Sequence, residues 1–256
     1  MVEESIQKVK RVYVRRHGRP MHQGRMDALE TVFPTVQIPK DILQEDGQLA
    51  ASEFFDGAAV QKLHFEIGFG NGEHLLYVMR ENPHDHFIGA EPYMNGMSAF
   101  IKSLPVPTPD NIRVHADDAL MVLNSLQDAS VDVIYILNPD PWPKSRHHKR
   151  RIVSEANLDV YARVLKEGGL MVQTTDVDDL AEWMLTKTIN SPYFDWTAEH
   201  PADWKTAPNG WMSTRYENKG KEAGRSQTYL LYRRNATAVV AKTSVPAVEM
   251  PKIRIY

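Results

Sequence analysis

Short apolar runs alternate with helical stretches through the middle of this chain, and this alternation constrains its fold more than any other feature. The predicted strands cover residues 63–67, 86–90, 111–115, 131–137 and 170–174. Strands that alternate with helices at this spacing predict an α/β fold with a Rossmann-like, doubly wound and mostly parallel sheet. In such a sheet, ligands bind at the carboxyl ends of the strands.

Helical periodicity and turn residues complete the predicted order of elements. One helix is predicted to follow the glycine turn at residues 68–72 and to end at Arg80, and further helices are predicted at 94–104, 119–126, 155–165 and 177–189. A late strand is predicted at 228–233 and a short lead-in helix at 45–55. The helix at 155–165 is expected to stop at Gly168-Gly169. We expect residues 1–55 to form a basic arm with the lead-in helix, 56–235 the main domain, and 236–256 a tail.

Composition excludes several classes of protein. The chain has no cysteine, which excludes disulfides, thiolate nucleophiles and cysteine-ligated zinc sites. No apolar run approaches the length of a membrane span, and the charged amino terminus lacks the hydrophobic region of a signal peptide. We therefore expect a cytoplasmic protein that has no membrane partner.

Two basic segments dominate the charge distribution. Residues 8–26 carry seven Lys or Arg and no acid, and residues 144–151 carry five and no acid. Because the net charge is only −3, the rest of the chain sums to −15. An acidic body with two concentrated basic segments indicates a directed surface for a polyanion such as a nucleic acid.

The turn at residues 68–72, Gly-Phe-Gly-Asn-Gly, has the composition of a cofactor loop, with Gly68, Gly70 and Gly72 between a strand and a helix. A fingerprint for NAD needs its third glycine one position later, where this chain has Glu73. Glu66 would oppose a bound pyrophosphate, but it would favour the cationic sulfonium and ammonium groups of S-adenosylmethionine.

Two further acids follow predicted strands. Glu91 closes the second strand, where a carboxylate accepts hydrogen bonds from both hydroxyls of a ribose. Asp118 follows the third strand and is placed to accept from an adenine amino group, or to cap the next helix. Together with Glu66 and the glycines, these acids predict a site for S-adenosylmethionine.

The fourth strand runs into Asn-Pro-Asp-Pro-Trp-Pro, residues 138–143. Because prolines on both sides restrict Asp140, its carboxylate is held at the end of a strand, where it can meet a ligand. Trp142 is suited either to stacking on a base or to packing within the protein. The basic residues that follow at once have a composition that binds phosphate.

These residues resemble the bacterial tRNA (guanine-N7)-methyltransferases. The resemblance covers roughly residues 55–235, and its most specific part is the block from Pro-Asp-Pro-Trp to Arg150-Arg151. Other matching segments are Glu66 to Gly72, Gly89-Ala90-Glu91, Asp117-Asp118-Ala119, Thr174-Thr175-Asp176 and Thr214-Arg215-Tyr216-Glu217. The chain departs from the family pattern at Asn138, Ala90 and Arg215-Tyr216.

The resemblance implies a site in three parts. It implies cofactor contacts at Glu66, Glu91, Asp118 and Asp140, besides the glycines already named. It implies guanosine or tRNA contacts at Lys144, Asp176, Thr214, Arg215, Tyr216 and Glu217. It also implies RNA contacts at Arg146, His147, His148, Lys149, Arg150 and Arg151, and a target guanosine in the variable loop.

Guanine N7 has an in-plane lone pair and no proton, so its methylation needs no general base. We therefore expect catalysis to depend on alignment and on negative potential near the purine, with Asp140 near the reaction and Asp176 holding the base. We also expect tRNA binding to depend strongly on salt and to weaken on charge reversal at Arg150 and Arg151.

Three alternatives differ in chemistry. Asn138-Pro139 begins like the motif of an N6-adenine methyltransferase, although Asp140 interrupts that motif. A dinucleotide oxidoreductase conflicts with the glycine spacing and with Glu66, and a non-catalytic RNA-binding protein would not need an acid at each strand end. Adjacent His147 and His148 lack a third ligand at useful spacing, so no metal site is predicted. A monomer and a homodimer are both compatible with the sequence.

Overall fold

The computed structural model describes residue 16 and residues 18–44 and 47–239. Within these ranges a single sheet has the order β3-β2-β1-β4-β5-β7-β6. Its strands are β1 (Leu63–Ile67), β2 (His86–Ala90), β3 (Ile112–His115), β4 (Val131–Leu137), β5 (Leu165–Thr175), β6 (Phe194–Trp196) and β7 (Thr228–Arg234). Strands β1 to β5 are parallel, and β7 pairs antiparallel with β5 and β6. The predicted α/β fold with a mostly parallel sheet is confirmed.

Helices cover both faces of the sheet. They are α1 (Gln23–Thr31), α2 (Phe33–Val36), α3 (Glu73–Glu81), α4 (Met94–Ser103), α5 (Ala119–Ser125), α6 (Glu155–Val164), α7 (Asp178–Ile189), α8 (Ala202–Lys205) and α9 (Arg215–Glu222). One apolar cluster joins α1 to α4 with the sheet, and a second joins α5, α6 and α7 with the other face. No helix in the described ranges is both long and apolar enough to span a bilayer.

Local sequence explains why the main helices begin where they do. The side chain of Asp118 accepts a hydrogen bond from Leu120 N at the start of α5, and Ser154 accepts one from Asn157 N at the start of α6. Such caps satisfy amide groups that have no partner within the helix. Both helices therefore start directly after the strand or loop that carries site residues.

Residues 23–31 were expected to belong to an irregular basic arm, but they form α1. This helix lies against α4, and Ala28 is buried in the same apolar cluster as Met97 and Phe100. Tertiary packing of this kind stabilises helices whose own propensity is weak, here despite Gly24. Residues 1–15 and 17 of the predicted arm lie outside the described residues, as do residues 240–256 of the predicted tail.

The predicted lead-in helix at 45–55 is only partly correct. Ala51–Phe55 is a 3-10 helix, whereas Leu49 forms an isolated bridge with Leu126. Residues 45 and 46 lie outside the described ranges. The short edge strand β6 and the helix α9 were not predicted.

Strand β5 begins at Leu165, directly after α6 ends at Val164, and not at residue 170 as predicted. Gly168, expected to stop the helix, instead has a φ of +75° inside the strand. The pairing of β4 with β5 shifts register there, from Val131 opposite Leu165 to Val133 opposite Leu170. A glycine inside a strand commonly marks such an irregularity.

Candidate active site

The turn from β1 into α3 leaves part of its backbone open to a ligand. A Cβ atom at Gly68 would have no neighbour within 4 Å, and one at Gly70 would meet only Cε2 of Tyr216, at 3.7 Å. Gly72 differs, since a Cβ there would overlap the ring of Phe100 on α4. Gly68 and Gly70 thus permit close approach of a ligand, whereas Gly72 permits helix packing.

Glu91, at the end of β2, holds this turn in place. Its Oε2 accepts a hydrogen bond from Gly70 N at 2.7 Å, and its Oε1 accepts one from Tyr93 N at 2.7 Å. The side chain is buried, but each carboxylate oxygen has a second lone pair that can accept from a ligand. The structure therefore brings the predicted ribose acceptor directly to the glycine turn.

Burial raises the pKa of Glu91 to about 7. The nearby negative charges of Asp140 and Glu66 raise this pKa further, and the hydrogen bonds from Tyr93 and Gly70 lower it. Glu66 lies in β1, Glu91 follows β2 and Asp140 follows β4, which are adjacent strands. The three predicted acids therefore converge at one edge of the sheet and interact electrostatically.

Glu66 differs from expectation in one respect. The resemblance implied a contact with the cofactor, but the side chain is buried and its Oε2 lies 2.8 Å from Nδ1 of buried His74. His74 contacts the rings of Tyr135 and Trp211 in turn, with centroids 4.7 and 5.3 Å away. The carboxylate of Glu66 is thus enclosed by protein, and its effect on a cofactor remains a proposal.

Asp118 is half-buried beyond β3 and caps α5 through Oδ1, 3.0 Å from Leu120 N. Its neighbour Asp117 is buried and pairs with Arg16 at 2.7 Å and Lys40 at 2.6 Å. Asp117 therefore ties residue 16 of the predicted arm to the sheet. Asp118 thus lies where the sequence predicts it, and its contact with adenine remains a proposal.

Asp140 lies on the turn after β4 and is exposed to solvent. Surrounding protein nevertheless raises the pKa of its carboxyl group through desolvation. Asn138 fixes the start of the turn, since its N donates to Thr174 O at 2.9 Å and its Oδ1 accepts from Gln227 Nε2 at 2.8 Å. Asp140 is accordingly a restrained acid that solvent and a ligand can reach.

Trp142 joins this turn to the basic segment. The guanidinium carbon of Arg150 lies 4.9 Å from the centroid of the Trp142 ring, and His147 meets the ring edge at 5.8 Å. Residues Ser145–Arg150 form a 3-10 helix in which Arg146 and Lys149 are exposed, as is Lys144 before it. His147, His148 and Arg150 are half-buried, so the RNA surface proposed here consists mainly of the three exposed cations.

Arg151 does not fit its predicted role as an RNA contact. It is buried, its Nε donates to Pro141 O at 2.9 Å, and it pairs with Asp179. The guanidinium carbon also lies 4.9 Å from the centroid of Trp183. Arg151 therefore fastens the acidic turn to α7, and charge reversal there would test stability, not RNA binding.

The predicted substrate segment forms the start of α9. Thr214 caps the helix, and Arg215 N donates to Oε2 of Glu73 at 2.6 Å, which ties α9 to α3. The ring of Tyr216 is 62% exposed and faces Gly70. An exposed aromatic ring beside the glycine turn is well placed to contact a base.

Glu217 has a different role from the one predicted. It is buried, and its two oxygens accept from Trp211 Nε1 at 2.9 Å, from Ser213 Oγ at 2.9 Å and from Tyr229 Oη at 2.6 Å, and pair with Lys221. These donors within the protein engage both oxygens. Glu217 consequently anchors α9 and is not placed to contact a substrate in this structure.

Asp176 follows β5, the strand next to β4, and is half-buried. Its Oδ2 accepts from Arg225 Nε at 2.8 Å and lies against Gly220. This leaves Oδ1 as the oxygen for a substrate contact. Arg225, His74 and Trp211 were not identified from the sequence, because single residues outside a recognisable motif give no signal.

Comparisons with known proteins agree with this geometry. A family model described as "Putative methyltransferase" matches residues 60–230. The tRNA (guanine-N(7)-)-methyltransferase of Rhizobium meliloti is 43% identical over 220 residues, which cover 86% of this chain and 93% of that protein. The enzyme of the same name from Brucella anthropi is 39% identical over 234 residues, covering 91% and 99% of the two chains.

Solved structures with the same fold are much more distant in sequence. The 16S rRNA methyltransferase KamB has a TM-score of 0.51 at 14% identity, covering 73% of this chain and 95% of that one. An antibiotic-related methyltransferase has a TM-score of 0.50 at 15% identity, covering 77% and 94%. From the glycine turn, the strand-end acids and the extent of the sequence match, we conclude that this chain belongs to the tRNA (guanine-N7)-methyltransferase family.

Proposed function

We propose that the protein transfers the methyl group of S-adenosylmethionine to N7 of a guanosine in the variable loop of tRNA. The observation that carries this proposal is the convergence of Glu66, Glu91 and Asp140 beside an open glycine turn. The same turn that holds Asp140 continues into the basic segment at residues 144–150. A cationic methyl donor and a polyanionic substrate thus have adjoining surfaces.

The residues around the turn suit S-adenosylmethionine as a cofactor. Gly68 and Gly70 leave space above the backbone, and Glu91 offers free lone pairs to ribose hydroxyls. The negative charges of the converging acids favour a cation, while they would repel a pyrophosphate. These features support the cofactor and count against the dinucleotide alternative.

When bound, the cofactor supplies an electrophilic methyl group on a positively charged sulfur. The N7 lone pair forms the new bond to carbon while the carbon–sulfur bond breaks, so the positive charge moves to the purine and no proton is transferred. The protein must therefore align the two reactants and favour positive charge on the purine. Asp140 is exposed at the end of β4, so its negative charge can favour a positively charged purine.

Guanine differs from adenine in its hydrogen-bond donors. Its N1–H and exocyclic amine point the same way, and one carboxylate can accept from both, whereas adenine has no N1–H to offer. We assign this contact to Asp176, whose Oδ1 is available. The contact between Asp176 and the two donors of guanine distinguishes the proposal from N6-adenine methylation. The other proposed substrate contacts are Lys144, Thr214, Arg215 and Tyr216.

Methyl transfer from labelled S-adenosylmethionine to an unmodified tRNA transcript tests the proposed function. We expect one labelled nucleotide, identified as N7-methylguanosine in the variable loop by digestion and mass spectrometry. A transcript with adenosine at that position is the control and should accept no label. Labelled N6-methyladenosine, or no transfer to any tRNA, would contradict the proposal.

The exposed cations of the basic segment should contribute to tRNA affinity. In the double variant Arg146→Glu, Lys149→Glu, we expect the salt slope of tRNA binding to fall by about two, because each lost phosphate contact contributes about 0.9. Affinity should fall for all tRNAs alike, since phosphate contacts carry no sequence information. Fluorescence anisotropy at several salt concentrations measures both quantities.

The matched control is Arg233→Glu, because Arg233 is exposed, donates to Gly168 O at 2.9 Å and lies at the end of the sheet opposite to the carboxyl ends of the parallel strands. It should leave the salt slope unchanged. An unaltered slope in the double variant would remove the basic segment from the RNA surface.

A further inference from the structure

A cavity of about 370 Å³ beside the glycine turn is lined by four cationic side chains. Arg19 and Arg25 come from the amino-terminal part of the chain, whereas Arg215 and Lys219 lie one turn apart on α9. None of the nine residues that line it is acidic. We call this cavity the cationic pocket, and its volume falls in the range of small-ligand sites.

In the part of the chain that the structure describes, ion pairs do not neutralise the positive charge of the cationic pocket. Among the described residues, no carboxylate lies within ion-pair distance of any of its four cations. Arg25 donates to Asn95 O, at 3.4 Å. Glu73 and Glu222 line a neighbouring cavity that shares Arg215 and Lys219. Four cations that have no ion pair within residues 18–44 and 47–239, around a cavity whose lining has no acid, favour an anionic ligand.

Backbone contacts hold one wall of the cationic pocket in place. The side chain of Asn95, at the start of α4, accepts from Gly18 N at 2.8 Å and donates to Arg19 O at 2.8 Å. Met94 N also donates to Arg16 O at 2.9 Å. The backbone that carries Arg19 is therefore positioned before a ligand arrives, which lowers the entropic cost of binding.

The cationic pocket adjoins the proposed methyl-transfer site. Tyr216, which faces Gly70, and Asn71, which lies within the glycine turn, both belong to its lining. The acids Glu66, Glu91 and Asp140 are absent from that lining. A ligand in the pocket would therefore lie beside the proposed cofactor site, but against cationic instead of acidic side chains.

We propose that the cationic pocket binds a backbone phosphodiester of the tRNA, next to the guanosine whose N7 meets the cofactor at the glycine turn. This inference rests on the proposed function, because it takes tRNA as the substrate. A polynucleotide presents a phosphate on each side of the target base, and Arg and Lys are the side chains that bind phosphate best. The pocket would thus position the nucleotide for alignment of N7.

The test uses the double variant Arg25→Gln, Lys219→Gln. Neither side chain has a strong partner in the described structure, so we expect an unchanged melting temperature. We expect about a tenfold loss of tRNA affinity, with an affinity for S-adenosylmethionine equal to that of the wild type. Arg233→Gln, at the end of the sheet opposite to the carboxyl ends of the parallel strands, is the matched control and should change neither affinity.

Replacing single phosphates of the tRNA by uncharged methylphosphonates locates the contact. A replacement next to the target guanosine should weaken wild-type binding about as much as the double variant does, and should cost that variant nothing further. Inorganic phosphate is the probe for a free anion, and it should compete only weakly with tRNA. Strong competition by inorganic phosphate, without an effect of any methylphosphonate, would overturn the proposal.

Two other results would also overturn it. Unchanged tRNA affinity in the double variant would exclude an RNA contact, and a selective loss of affinity for S-adenosylmethionine would assign the pocket to the cofactor's carboxylate. Failure of the proposed function is a separate outcome, because then the wild type itself would not methylate tRNA.

Discussion

Replacing Asp140 by Asn should reduce methyl transfer to tRNA by about 100- to 1000-fold, the loss typical of removing one electrostatic contact to a transition state. Asparagine keeps the shape of the side chain but removes the negative charge that favours a cationic purine. The residue is exposed, so folding should not change. Single-turnover rates with saturating tRNA and S-adenosylmethionine measure the chemical step directly.

Asp110→Asn is the matched control, since Asp110 is an exposed acid in the loop before β3, away from the carboxyl ends of the strands. We expect that variant to retain full activity. The Asp140→Asn protein should keep its melting temperature and bind S-adenosylmethionine nearly as well as the wild type. Turnover close to that of the wild type would remove Asp140 from the mechanism.

Glu91→Gln should weaken S-adenosylmethionine binding by about 10- to 100-fold, because hydrogen bonds to a charged group contribute about 1.5 to 3 kcal/mol each. Glu91 accepts from the backbone N–H groups of Gly70 and Tyr93. A glutamine can accept through its one oxygen, while its NH₂ group would face the other donor. The variant therefore loosens the glycine turn as well as losing a ribose acceptor.

Titration calorimetry measures this loss, and Glu81→Gln is the control because Glu81 is exposed at the far end of α3. A dissociation constant within twofold of the wild type would show that Glu91 does not contact or position the cofactor. Binding of tRNA alone should be unchanged in both variants.

The same carboxylate should make cofactor binding depend on pH. In the protein without cofactor, burial raises the pKa of Glu91 from 4.5 to about 7, so the fold favours its protonated form. The contribution of Glu91 to the free energy of unfolding therefore falls as the pH rises from about 4.5 to about 7. The cationic cofactor favours the ionised form, so affinity should rise as the pH rises toward about 7 and level off above it. The Glu91→Gln profile provides the baseline, since it retains the titration of the ligand's own groups.

Secondary structure around the glycine turn followed from local patterns. Each parallel strand is a short apolar run, and each is followed by a helix with apolar residues on one side, such as Leu75, Val78 and Met79 in α3. These patterns arise within a few residues of chain, so the sequence contains them in full. The predicted strands 63–67, 86–90 and 131–137 accordingly have the observed bounds.

Roles that depend on burial could not be predicted in the same way. Arg151 and Glu217 belong to specific motifs, yet both are buried and bonded within the protein. Whether a charged side chain faces solvent or its own fold depends on distant partners, here Asp179 and Tyr229. The motifs therefore predicted a ligand contact for two residues whose partners lie within the protein.

The sequence by itself determined the alternation of the five parallel strands with helices, the presence of acids at strand ends and the junction of a proline-restricted acid with a basic segment. These depend on residue type and on spacing along the chain. Only the tertiary structure decided that α1 packs on α4, that Glu66 is enclosed by His74, and that Arg19 and Arg25 meet α9 in one pocket. These contacts join segments far apart in the chain, and burial free energy selects them only when the whole core packs.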